Sequence, residues 1–287
     1  MPSSTAPPRS AHAPGRAAAV LTALAVALVT AFVLAPRLLA ASGPGDALAD
    51  RGSLVQAVRE AFVTYWNSGD RDFSPELQQA VDYWFRYHVA KAVIAALLTI
   101  VLIALGVLLW KAYLRSGGLG TGRSAALASS GALVIVLALF SLAVVMANVQ
   151  GAVAPFASLL PMLGVTAADG ELGATLDEIR SRLAVHPGAG ERAQPAIEVM
   201  ISDFARYHIA MAVLASIVTV VLIGVSVLLW QRFAGTDPSD RRTRRVWAGF
   251  AVLSGVLSLP VLVVAVANIS TSADPAPALL AFFEGGW

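Results

Sequence analysis

The tripeptide Arg86-Tyr87-His88 leads an apolar run that closes on Leu108-Leu109-Trp110, and the pattern recurs 120 residues later, from Arg206-Tyr207-His208 to Leu228-Leu229-Trp230. Of the 25 positions from Arg86 to Trp110, 15 are identical to their counterparts without a gap. At the same displacement Pro75 matches Pro195, Asn148 matches Asn268, Pro155 matches Pro275, and Leu159-Leu160 matches Leu279-Leu280. A chain that repeats itself over this width must be able to build one local plan twice.

The plan is a membrane one. Charged residues make up 13% of the chain and mean hydropathy is +0.72, whereas a soluble domain carries about 25% charged residues. Four apolar stretches, 89–110, 125–148, 209–230 and 246–268, each come near the ~20 residues needed to cross ~30 Å of hydrocarbon. A fifth run, Ala17 to Ala35, is stopped by Pro36-Arg37. Its length exceeds the 7–15 residue core of a cleaved signal, and Leu39 is a poor residue three before a cut at Ala41, so it reads as a retained anchor. Residues 1–16, rich in Pro, Ser and Ala and lacking acids, read as a disordered tail.

Orientation follows from the short loops. Residues 111–124 hold Lys111, Arg115 and Arg123 with no acid, and residues 231–245 hold five arginines against Asp237 and Asp240. The positive-inside rule places these loops and the N-terminus in the cytoplasm and the C-terminus outside. Each repeat then contributes two spans, and the copies run parallel, related by a pseudo-two-fold axis along the membrane normal. The expected fold is an all-α integral membrane protein. It has an anchor (17–41) and two tandem hairpins in repeat units 42–161 and 162–287, with short extracytoplasmic helices. The composition suits a bacterial plasma membrane.

The helix opening at Pro75 and reaching Trp110 would be about 54 Å long, so its first turns should stand clear of the bilayer. Before that proline lies an amphipathic segment with apolar residues at Leu54, Val58, Phe62 and Trp66, broken at Asn67-Ser68-Gly69. The second copy has Leu176, Ile179 and Leu183, broken at His186-Pro187-Gly188. Ser53 to Gln56 and Thr175 to Glu178 fit the capping-box pattern, which predicts helix starts there. Together these segments should form a small helical cap outside the membrane.

Topology gathers the polar residues of the repeat at one level. Arg86, Tyr87, His88 and Asn148, with Arg206, Tyr207, His208 and Asn268, are candidates for a quasi-symmetric ring at the outer interface. Two imidazoles could take a proton or a metal, and two guanidiniums an anion. The simpler reading is an interfacial belt, since Tyr and Arg favour the headgroup level. Two histidines fall short of the three or four ligands zinc requires, and Asp82 and Asp203 occupy unmatched positions, so no metal site is expected. His12 and His186 stand apart from the repeat.

Several functions are disfavoured. The chain has no cysteine, which removes disulfides, thiolate metal sites and cysteine nucleophiles. Spans three to five contain no ionisable residue, and span two only Lys91, near enough its end to snorkel. Thr99 and Thr219, and the small pairs Gly106/Ser226 and Ala104/Gly224, fit close helix contact. Pro260 should kink the fifth span where Phe140 would not kink the third. Gly118 and Gly120 form a turn signal, Asn268-Ile269-Ser270 a sequon by chance, and Arg241 to Arg245 an orientation signal. No cofactor motif and no nucleic-acid signal is present. The preferred reading is a non-enzymatic scaffold or sensor, with the bilayer and a protein partner on the extracytoplasmic side. A small transporter or channel subunit on the pseudo-axis is one alternative. The other is a membrane enzyme at the outer interface with His88 and His208 as acid–base groups.

Overall fold

The computed structural model describes residues 13–41, 47–115, 121–185 and 194–286. Residues 1–12 of the expected tail, the Gly118-Gly120 turn and the His186-Pro187-Gly188 break lie outside them. The described residues are helical with no strand. In order they form α1 (Ala13–Ala40), α2 (Arg51–Ser68), α3 (Pro75–Arg115), α4 (Thr121–Val153), α5 (Pro155–Leu159), α6 (Gly170–Ala184), α7 (Pro195–Ala234), α8 (Arg241–Ala273) and α9 (Pro275–Phe283), with single 3-10 turns at Ala47–Ala49 and Leu160–Leu163. Five of these helices, α1, α3, α4, α7 and α8, are long and apolar enough to cross a bilayer. Val220, Val263, Leu259 and Val252 stay more than half exposed on them. A soluble protein could not leave so much apolar surface in water, so this chain belongs in lipid.

Local chemistry explains most boundaries and corrects some expectations. Pro75 opens α3 behind Ser74, whose Oγ accepts from the Leu77 amide at 3.3 Å, so a hydroxyl cap and a proline without an N–H to satisfy start the helix together. Neither expected capping box forms. Asp50 caps α2, accepting from the Ser53 amide at 2.9 Å and the Ser53 hydroxyl at 3.2 Å, because its carboxylate is a better acceptor than the hydroxyl one turn on. Thr175 is an interior residue of α6, which begins at Gly170, and it is buried. Gly69 ends α2 in the left-handed conformation, φ 69°, which glycine alone adopts without cost. α1 starts at Ala13, within the stretch read as tail, and continues through Pro36 to Ala40. α8 likewise runs unbroken through Pro260. Proline is tolerated within membrane helices where neighbouring groups satisfy the freed carbonyl.

The described chain divides into two compact units, Met1–Val33 with Val93–Val144, and Leu34–Ala92 with Val145–Trp287. In the first, α1 lays Ala18, Leu21 and Ala25 against Leu102 and Leu105 of α3 and Val134 of α4. The hydroxyls of Thr99 and Ser141 lie 2.9 Å apart, and both reach the Ala95 carbonyl, at 2.9 and 3.0 Å. A Cβ on Gly131 would meet the Trp110 indole at 2.8 Å, so this glycine lets the indole of α3 lie against the backbone of α4.

The second unit is larger. α7 and α8 pair along their length, with Ser226 Oγ donating to the Ala251 carbonyl at 2.8 Å. α2, α5, α6 and α9 join the first turns of α3 and α7 around one core, the helical body. Its centre is Phe62, Tyr65, Leu77, Ile179, Met200 and Phe283, all at most 1% exposed. The predicted apolar faces of both amphipathic helices, Leu54, Val58, Phe62 and Trp66, and Leu176, Ile179 and Leu183, are buried in it. Phe73 packs between Tyr65, which it meets edge-on, and Phe156, to which it is tilted, with centroids 5.2 and 4.7 Å away. α2 and α6 are tied by the Trp66 indole, which donates to Glu178 at 2.9 Å, and by Asn67, which donates to Glu171 at 3.2 Å.

Two outcomes are expected. Truncating the fully buried Leu176 to Ala removes a core side chain and leaves a cavity, costing about 2–5 kcal/mol. The same truncation at Val252, which faces lipid, changes little; unfolding midpoints in detergent compare them. Glu178 is held below its ordinary pKa of 4.5, first by the Trp66 indole and then by Arg182. A depressed carboxylate stabilises the fold above its unfolded pKa and loses that contribution as pH falls through the folded one. Acid titration of the unfolding midpoint below about pH 4.5 should therefore fall less steeply in Glu178→Gln than in the parent chain.

Candidate functional site

The repeated polar residues sit on four helices of the larger unit. Arg86, Tyr87 and His88 are on α3, Asn148 on α4, Arg206 to His208 on α7, and Asn268 on α8. One contact is made twice. His88 Nδ1 lies 3.0 Å from Asn148 Oδ1, and His208 Nδ1 lies 2.8 Å from Asn268 Oδ1. In the second pair the amide orientation follows from its other bond, since Asn268 Nδ2 donates to the Val264 carbonyl at 2.8 Å. Oδ1 is left to accept, so the His208 hydrogen is on Nδ1. Both imidazoles then carry their lone pair on Nε2, which is buried without a hydrogen-bond partner among the described residues.

The aromatic surroundings also recur. Trp84 meets His88 edge-on at 4.7 Å, and Phe204, one turn before His208, does so at 4.6 Å. Residues four apart share a helix face, so each ring is held by its own helix and by the asparagine of the next. Trp84 also stacks on Tyr87 at 5.0 Å, and its indole donates to Ser158 at 2.8 Å. Lys91 turns back over the Tyr87 ring, 5.2 Å from its centroid.

The arginines part company. Arg86 Nε donates to the Ala40 carbonyl at 2.8 Å, tying α3 to the last turn of α1. Arg206 lies 3.4 Å from Asp203 on its own helix. Asp203 itself is buried and accepts from the Ala157 amide at 2.8 Å. It therefore caps α5 from another helix, a role its unmatched position in the repeat did not suggest. Gln150 on α4 joins the copies directly, donating to the Tyr207 carbonyl at 3.1 Å.

Other participants carry no motif. An ideal Cβ on Gly151 would stand 2.7–2.8 Å from three atoms of the His88 ring, so glycine is what lets this imidazole lie against α4. Arg59 Nε donates to the Met162 carbonyl at 3.0 Å, and Arg180 Nε to the Phe283 carbonyl at 2.7 Å. Both bonds span 103 residues of chain. Gapless alignment at 120 hides this correspondence, because the outer segment has drifted by one residue.

Chemically, each His–Asn pair can accept one hydrogen bond or ligate one cation through Nε2. Among the described residues no three of His, Asp and Glu gather as a metal site. Compared with protein-family models, curated proteins and solved structures, the chain matches none.

The His88 brace can be tested as a coupled pair. Asn148→Ala leaves a buried imidazole N–H without its acceptor, which costs about 1–3 kcal/mol. Gly151→Ala should cost a similar amount by pushing the ring away. The double variant is expected to be much less destabilised than the sum, because both changes break one contact. Full additivity in unfolding midpoints would mean that Gly151 acts elsewhere.

Proposed function

We propose that the chain is a non-enzymatic multi-pass protein of the plasma membrane, a scaffold or sensor whose helical body lies on the extracytoplasmic side and binds a protein partner. The observation that carries this reading is the core of that body. Six aromatic or aliphatic side chains at most 1% exposed, from α2, α3, α6, α7 and α9, make it a rigid unit. Anchoring five helices in lipid requires no such unit. Its outward faces on α2 and α6 are polar and carry Gln56, Glu60, Asp177 and Ser181. The basic loops of 111–124 and 231–245 support a cytoplasmic position for the opposite helix ends. The His–Asn braces support a structural over a catalytic role, since each ties two helices together and the remaining ring nitrogen, Nε2, is buried away from solvent.

The absence of cysteine makes orientation directly measurable. A membrane-impermeant maleimide should label Thr64→Cys in intact cells and Ser239→Cys only after permeabilisation; the reverse pattern inverts the topology. A photo-crosslinking residue at Gln56 or Ser181 should then yield a discrete protein adduct, and one at Val252 should not. No adduct at any body position, together with solute flux in proteoliposomes that falls in the His88→Ala/His208→Ala variant, would replace the scaffold with a transporter.

A further inference from the structure

Within the helical body a cavity of about 470 Å³ opens between the end of α1, the start of α2, α3 and the Leu160–Leu163 turn. It falls within the 300–1,000 Å³ range of small-molecule sites. Arg37, Arg51 and Arg59 reach it from two helices, and Trp84, Tyr87 and Met162 supply its apolar wall.

Among the described residues none of the three arginines makes an ion pair. Asp50 lies within the field of Arg37 and offsets part of the cluster's charge, but its oxygens accept from the amide and hydroxyl of Ser53 rather than from a guanidinium. Glu60, beside Arg59, accepts from Gln56 at 2.9 Å instead. The contrast with Arg180 is informative. It makes the same kind of bond to a distant carbonyl as Arg59, yet its guanidinium is also paired to Asp177, three residues earlier on α6. Three residues before Arg59 stands the neutral Gln56. One arginine is neutralised by its own helix; the other faces a cavity with two more arginines beside it.

Placement indicates what kind of anion. Arg37 directly follows the apolar run of α1, and Trp84 and Tyr87 directly precede that of α3. This is the headgroup level, where aromatic and basic side chains meet lipid. Guanidiniums match phosphate oxygens in fork geometry, and the aromatic wall suits an apolar continuation. We propose that this cavity binds the phosphate-bearing headgroup of an anionic amphiphile, with Arg37, Arg51 and Arg59 on the phosphate and Trp84 and Tyr87 beside the start of its apolar part. This does not depend on the partner-binding reading.

The test uses the full chain in mixed micelles of phosphatidylglycerol and phosphatidylcholine, with bound lipid counted by native mass spectrometry. Phosphatidylglycerol should be retained in preference. Arg37→Gln and Arg51→Gln should each weaken its retention about tenfold, the loss of one charge-assisted contact, with Arg37→Lys/Arg51→Lys recovering part of it. Arg123→Gln/Arg245→Gln, removing equal charge elsewhere, should leave it unchanged. Unfolding midpoints without phosphatidylglycerol should match in all variants, since neither the Arg37 nor the Arg51 guanidinium bonds to a described residue. Equal retention of the two lipids, or retention insensitive to Arg37 and Arg51, overturns the proposal. Glycerol 3-phosphate raising the midpoint as effectively as phosphatidylglycerol overturns the amphiphile and leaves a free phosphate ester.

Discussion

Helices α3 and α7 are twice as long as a bilayer is thick. At 1.5 Å per residue, 41 and 40 residues rise about 60 Å, against ~30 Å of hydrocarbon. Inside lipid such a helix needs only its own backbone bonds and an apolar surface. Beyond lipid the surplus turns must bury one face as any soluble helix does. Leu77, Ala80, Val81 and Tyr83 of α3, and Ile197, Met200 and Phe204 of α7, are those faces. The short helices α2, α5, α6 and α9 exist to cover them.

That dependence explains what could be read directly from the residues. Element type was legible because apolar period and run length report it, and the buried faces of α2 and α6 emerged residue by residue. Cap identity was not. Asp50 and Ser53 both fit a helix start, and the choice turned on which oxygen accepts best. Roles fixed by distant chain were invisible. Asp203 caps α5 across 46 residues, and no local pattern announces an acceptor for an amide so far away. Of the proposed ring, the His–Asn pairs share a contact, whereas the arginines, identical in sequence, take different partners because Ala40 stands beside one and Asp203 beside the other.

The two copies illustrate how duplicated parts diverge. The imidazole-to-amide bond is kept in both, with an aromatic residue one turn before each histidine. Around it the halves have separated. Gly151 lies against His88 where the second copy has Thr271, whose hydroxyl turns to its own helix at Ala267. Thr99 has Ser141 opposite, while Thr219 is buried without a partner among the described residues and Val261 occupies the matching place. The repeated contact holds a helix pair together, and the positions beside it were free to take on unlike duties.

The helical body draws its buried side chains from Ala40 through Phe283. A core so dispersed along the chain has high contact order, and its closure waits on distant segments. Leu279, Phe282 and Phe283 follow α8, so the faces of α6 and α7 that α9 covers stay open until every membrane helix has been synthesised. Exposed apolar surface of that kind engages chaperones and invites degradation. Closure of the body is thereby coupled to completion of the membrane helices, because the last piece of its core, α9, is made only after α8.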